Sequence, residues 1–117
     1  MCGRFAFYST HEAVTELFGV EFPLAFEPRY NIAPSQYVAA IRLNDERQAE
    51  GVMLRWGLVP SWAKDPAIGN RMINARAETV AEKPAFRAAF KRRRCVVLAD
   101  GFYEWQAGQD GKQPFYI

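Results

Sequence analysis

Cysteine and histidine are scarce in this 117-residue sequence, which has two Cys, at positions 2 and 95, and one His, at position 11. So few ligands, so widely spaced, argue against a structural zinc site, which takes four N or S donors at short intervals. They argue equally against the disulfide framework that staples small secreted domains. No apolar run approaches the ~20 residues that span a bilayer, which excludes a membrane-spanning helix. The first residues also lack the basic, apolar and small-residue regions of a secretory signal, so a reducing compartment is expected. There is no internal repeat, no low-complexity tract and no linker long enough to separate two domains. A large net charge is missing too: +2 at neutral pH is too mild to establish a nucleic-acid partner.

What is present is apolar. Half the residues are hydrophobic, with nine Phe, five Tyr and three Trp, enough for a buried core and against disorder. The length suits one domain. Charge is uneven along it: residues 1–58 carry five Lys/Arg against seven Asp/Glu, residues 59–117 ten against six. The densest basic cluster, Lys91-Arg92-Arg93-Arg94, reads either as a solvated helix end, where cations are favoured, or as a phosphate-attracting surface.

A short strand is expected over Gly3–Tyr8. Ser9-Thr10-His11-Glu12 matches a capping box with Ser9 as N-cap, and Val14, Leu17 and Phe18 follow at helical spacing up to Gly19. Val20–Pro34 reads as a long connection punctuated by prolines. Strands are expected over Tyr37–Leu43 and Gly51–Trp56, a loop over Gly57–Arg71, and a helix over Pro84–Arg92. A buried strand is expected over Cys95–Ala99, and a hairpin joins Gly101–Gln106 to Gln113–Ile117 through Gly108-Gln109-Asp110-Gly111. Strands outnumber helices, which points to an α+β fold.

Cys2 is the first candidate for chemistry. Removal of Met1 leaves an α-amine and a thiol on adjacent carbons. Such a 1,2-aminothiol attacks an aldehyde through nitrogen, and its sulfur then closes a five-membered thiazolidine. With Met1 retained, the nitrogen is an amide and the thiol simply occupies position 2. Cys95, within an apolar run, reads as a small core residue. Glu104, between Tyr103 and Trp105, is either a desolvated carboxyl suited to proton transfer or the water-facing member of an alternating strand. Asn74-Ala75-Arg76-Ala77-Glu78 offers an amide donor and a phosphate-forking guanidinium, or else a turn cap and an Arg76–Glu78 pair. Trp56, Trp62 and Tyr30 are stacking platforms for unpaired bases or core residues, with core packing the commoner fate of an aromatic. His11, in the first turn of a helix, reads as a solvated surface residue.

In combination these segments resemble one family. Met1-Cys2-Gly3-Arg4-Phe5 is similar to the start of the SRAP family, named for SOS response-associated peptidases and understood as abasic-site processing proteins. The resemblance continues through Arg29-Tyr30-Asn31-Ile32-Ala33-Pro34, Trp56-Gly57-Leu58-Val59-Pro60-Ser61-Trp62 and Ile73-Asn74-Ala75-Arg76-Ala77-Glu78-Thr79. It resumes at Arg94-Cys95, at Ala99-Asp100-Gly101-Phe102-Tyr103-Glu104-Trp105 and at Lys112-Gln113-Pro114-Phe115-Tyr116-Ile117. It therefore runs, in order, along residues 1–117.

The resemblance implies a β-rich, mainly antiparallel α+β fold with a basic groove for single-stranded DNA, without metal or cofactor. It implies a sensor of abasic sites in the DNA damage response, located in the cytoplasm with DNA. Cys2, freed of Met1, matches the nucleophile that forms a thiazolidine crosslink with the ring-opened sugar. Asn74 matches the residue that orients the sugar and the Cys2 terminus, and Glu104 the acid/base that opens the ring and shuttles protons. Arg4 and Arg76 match residues that hold flanking phosphates, and Trp62 lies in the segment lining the DNA groove. Family members continue past Ile117 with a His ahead of Arg-Met-Pro, which His11 does not match. The expectation is thus an SRAP domain over 1–117 that is its N-terminal portion, incomplete at the C-terminal end. A complementary chain or a swapped copy would then complete the fold. Two other functions stay open: non-covalent binding of single-stranded DNA, and a thiol peptidase that removes the chain's own Met1.

Overall fold

The computed structural model describes residues 2–117, so the removal of Met1 lies outside the described residues. Seven strands carry the fold: β1 (Arg4–Phe7), β2 (Arg29–Ile32), β3 (Tyr37–Leu43), β4 (Ala49–Arg55), β5 (Cys95–Val97), β6 (Gly101–Gly108) and β7 (Gly111–Tyr116). Two α-helices accompany them, α1 (His11–Phe18) and α2 (Arg87–Arg92), with a 3-10 helix over Pro66–Arg71. One sheet has the order β2-β1-β6-β7 and the other β4-β3-β5, every pairing antiparallel. The expected β-rich, mainly antiparallel α+β class is the one observed.

The core lies where both sheets and α1 meet. Phe5 and Phe7 of β1, Ile32 of β2, Val38 and Ala39 of β3, Val14 of α1, and Val20, Phe22 and Leu98 form one buried cluster. Between β5 and β6 the chain crosses from one sheet to the other. Leu98 N–H donates to Ala39 O at 3.0 Å and Asp100 N–H to Ala6 O at 2.9 Å, so the crossover is tied to both sheets. The Asp100 carboxylate then accepts from the N–H groups of Tyr8 (2.6 Å) and Ser9 (2.8 Å) and from Ser9 Oγ (2.5 Å), which fixes the turn from β1 into α1. Partial burial raises its pKa. The Ser9 hydroxyl and the two backbone donors outweigh that, and the net effect holds the carboxyl below its ordinary value.

That clamp corrects the expected capping box. Ser9 is drawn away to Asp100, and Thr10 is the N-cap, its hydroxyl accepting from Ala13 N–H at 3.2 Å. Gly19 closes α1 in the left-handed region at φ 64°, open to glycine without a Cβ penalty. His11 is not a solvated residue. Its ring packs against Phe22 and Phe26, at 6.3 and 5.3 Å between centroids, with Nε2 3.6 Å from Glu21. The expected long connection over 20–34 contains β2, a strand recruited by pairing with β1 (Phe5 opposite Ile32) rather than by its own alternation. The loop over 57–71 ends in the 3-10 helix, capped by Asp65 and started by Pro66. The second helix begins at Arg87, three residues after Pro84.

The largest correction concerns β5. It is a strand as expected, paired with β3, but all three of its residues are exposed, Cys95 among them. The same holds for every residue of β7. The hairpin of β6 and β7 turns through Gln109 and Asp110, with Gly108 opposite Gly111.

Candidate functional site

β1 begins at Arg4, so Cys2 stands just ahead of a strand that is central to its sheet. Cys2 is half-buried against the core cluster, and its Sγ lies 3.4 Å from Arg4 O. Asn74 reaches it from 72 residues away: Asn74 Nδ2 donates to the Cys2 carbonyl at 3.0 Å. An amide donor on the carbonyl of residue 2 anchors the backbone that carries that residue's nitrogen and sulfur.

Asn74 sits in an irregular segment, and a chain of contacts holds it there. Trp56, at the end of β4, donates from its indole Nε1 to Ile73 O at 3.1 Å, one residue before Asn74. Its ring packs on Phe5 with centroids 5.3 Å apart, so the Asn74 segment is referenced to the strand that carries Cys2. Gly57 makes the approach possible. Its φ is 129°, and a Cβ there would collide with the carbonyl of Gly69. Leu58 N–H donates to Met72 O at 3.0 Å, completing the join between the two segments.

Glu104 is placed by strand register. Arg4 pairs with Tyr103 and Phe5 with Phe102, so one further step sets Glu104 level with Gly3, next to Cys2. Paired residues share a face and neighbours alternate. Glu104 is therefore on the face of Phe102 and Phe5, where Trp56 packs, and it is half-buried there. Cys2, Asn74 and Glu104 thus come to one end of β1 from three separate parts of the chain.

Arg4 is on the opposite face of β1, with Tyr103. Its Nη1 donates to Asn31 Oδ1 at 2.9 Å, a neutral partner that orients the guanidinium while leaving its charge in place. Tyr103 OH donates to Tyr30 O at 2.6 Å, tying β6 to β2 across β1. Arg76 is exposed two residues beyond Asn74, where its carbonyl opens a turn by accepting from Thr79 and Val80 N–H. The described residues show no Arg76–Glu78 ion pair, and Asn74 bonds Cys2 rather than capping a turn. Trp62 is 59% exposed and Tyr30 63%, so neither is a core residue, while Trp56 is half-buried against the core. Among the described residues no group of three His, Cys, Asp or Glu side chains converges as metal ligands would. No described helix is long and apolar enough to cross a membrane.

Reading the sequence alone missed the positioning parts: Asn31 behind Arg4, and the Trp56 indole N–H behind Asn74. The available signal was the Trp56-Gly57 pair, a large ring followed by the residue type that most readily adopts a φ of 129°.

The family described as SOS response associated peptidase (SRAP) matches residues 1–117. The chain belongs to the SRAP family. It is 50% identical over 109 residues to the abasic site processing protein YoaM of Bacillus subtilis, covering 91% of this chain and 48% of that protein. It is 37% identical over 142 residues to the mouse abasic site processing protein HMCES, covering 100% of this chain and 40% of that protein. A crystal structure of a Bacteroides thetaiotaomicron protein superposes with a TM-score of 0.82 at 24% identity, over 98% of this chain and 53% of that one, and so shares its fold. This SRAP chain spans about half the length of the curated relatives it matches.

Proposed function

We propose that this chain processes abasic sites in single-stranded DNA by forming a covalent adduct through Cys2. The observation that carries the reading is the Asn74 amide on the Cys2 carbonyl at 3.0 Å, with Glu104 one register step away on the neighbouring strand. The names of the relatives, abasic site processing proteins, support the substrate class.

In this reading Met1 is removed first, freeing the Cys2 amine. Glu104 gives a proton to the ring oxygen as the abasic sugar opens to its aldehyde and takes one from the sugar hydroxyl. The Cys2 nitrogen adds to the aldehyde carbon, and the carbinolamine loses one water to become an imine. The Cys2 sulfur then adds to the imine carbon while its proton passes to nitrogen, closing the thiazolidine. Atoms balance with one water released, and no oxidant or reductant enters. Asn74 keeps the Cys2 backbone in place so that nitrogen and sulfur reach the same carbon in turn. Arg4 and Arg76 hold phosphates on either side of the lesion, and Trp62 stacks on an unpaired base.

The test is incubation with a single-stranded oligonucleotide carrying one abasic site, then denaturing electrophoresis without a reductant. A shifted band is expected, absent with Cys2→Ala, slowed roughly 10²-fold or more with Glu104→Gln, and weakened with Asn74→Ala. A band that Cys2→Ala leaves undiminished contradicts the proposal.

The uncovered strands β5 and β7 favour one further element of the reading, a complementary chain or a swapped second copy that packs on them. Sedimentation at rising concentration should then show a species heavier than one chain. A monomer at every concentration, with full crosslinking activity, contradicts that element.

A further inference from the structure

Outside the Cys2 site, unpartnered charge is densest on and just after α2. Arg87, Lys91, Arg92, Arg93 and Arg94 are all exposed. None of them is ion-paired among the described residues, where the pairs are His11–Glu21 and Arg42–Glu50. The carbonyl end of α2 favours cations in its last turn, Lys91 and Arg92. That accounts for part of the cluster and leaves Arg87, in the first turn, and Arg93, beyond the helix, without an intramolecular reason. Arg94 folds back over Phe90, its guanidinium carbon 5.8 Å from the ring centroid.

Arg87 and Arg93 instead line one crevice of about 200 Å³ with Trp62, Pro60 and Pro84. Lys91, Arg92 and Arg94 face a wider cleft of about 620 Å³, which adjoins the crevice at Arg87 and Ala88. The crevice combines two guanidiniums, a largely exposed indole and rigid proline walls. Its volume is below the ~300 Å³ at which drug-sized ligands are enclosed, so it suits the base and phosphate of one nucleotide rather than a larger folded molecule. Guanidiniums fork phosphate oxygens, and an indole face stacks on an unpaired base irrespective of sequence.

We propose that this crevice takes one phosphodiester and the adjoining unpaired base of the strand carrying the lesion, the phosphate on Arg87 and Arg93 and the base on Trp62. The inference rests on the single-stranded DNA reading above and adds a flanking-nucleotide subsite built by α2. It assigns Arg87 and Arg93, rather than the whole basic cluster, to DNA.

The experiment uses an oligonucleotide without an abasic site, so that no aldehyde is present and binding is read apart from crosslinking. Fluorescence anisotropy across a salt series should show Arg87→Ala/Arg93→Ala binding about tenfold more weakly. The slope of log affinity against log salt should flatten by ~0.7 for the one phosphate lost. Arg93→Lys should recover part of the loss, and tryptophan quenching on DNA addition should diminish in Trp62→Phe. Lys91→Ala/Arg92→Ala should change affinity less than twofold. Unaltered binding by the Arg87/Arg93 variant, an equal loss from the Lys91/Arg92 variant, or undiminished quenching in Trp62→Phe overturns the crevice. Failure of Cys2 to crosslink an abasic oligonucleotide, with these binding effects intact, overturns the proposed chemistry and leaves the subsite standing.

Discussion

Two parts of this chain are equally well paired and very unequally covered. In β1 three of four residues are buried, and β3 buries Val38, Ala39 and Ala40 in a row. In β5 and β7 every residue is exposed, although both strands keep an unbroken antiparallel register with their neighbours. Backbone hydrogen bonding and burial are separate contributions, and here they part company. The site straddles the divide: Cys2 and Asn74 are referenced to the covered part through Phe5 and Trp56, whereas Glu104 is on β6, between β1 and uncovered β7. The covered part should therefore set the stability of the chain, and the uncovered part should be tolerant of truncation.

The strongest way to break this comparison is in the core. Phe5→Ala should destabilise by about 3–5 kcal/mol, seen as a lower denaturant midpoint, because Phe5 is 6% exposed and supports both Ile32 and Trp56. Val96→Ala, at a position 59% exposed, should cost under ~0.5 kcal/mol at concentrations where the chain is monomeric. Equal costs at the two positions would show that β5 is covered in solution.

Asp100→Asn attacks the crossover that joins the two parts. Loss of a charged acceptor for three donors should cost about 1–2 kcal/mol, a range that allows for its exposure to solvent. The folded-state pKa is depressed, so this stabilisation is fully present above the unfolded value and lost as pH falls through the lower folded one. Parent and variant should therefore converge in stability on acidification below ~3.8, as followed by denaturation at stepped pH. A difference that persists to low pH would assign the effect to something other than the carboxylate.

Trp56→Phe keeps a ring against Phe5 and removes the N–H donated to Ile73 O. About 1 kcal/mol of stability should go, and adduct formation should slow several-fold through the displaced Asn74. If adduct formation is unchanged while stability falls, the indole supports only the fold.

The smallest effect is spectroscopic. A hydrogen bond with Tyr8 OH, at 3.2 Å, together with desolvation and neighbouring phenols, pushes the Tyr116 hydroxyl up to about 12. Phenolate absorbance in Tyr8→Phe should show that group titrating closer to 10. No change would mean that β7 does not rest against Tyr8.

Much of this arrangement was legible in the residues. Strand β3 was read to the residue, because Tyr37–Leu43 is an apolar run between polar turns. The β6–β7 hairpin follows from its glycines, and the family motifs single out Cys2, Asn74 and Glu104, which the fold brings to one end of β1. β2 was hidden because Arg29–Ile32 has too little alternation and is made a strand by pairing with β1. The N-cap was misplaced by one residue because Ser9 is taken by Asp100, a partner 91 residues away. The apolar composition of β5 points to burial, but composition reports what a strand can cover rather than what covers it. The tie from Trp56 to Asn74 is likewise tertiary, and no local pattern announces it.

The central claim is that Cys2 condenses with an abasic aldehyde through both its nitrogen and its sulfur. The most direct measurement is the intact mass of the adduct, with and without borohydride. A thiazolidine predicts the mass of the Met1-processed chain plus the abasic oligonucleotide less one water, unchanged by the reductant. An adduct that gains two hydrogens, one that retains Met1, or none at all would contradict it.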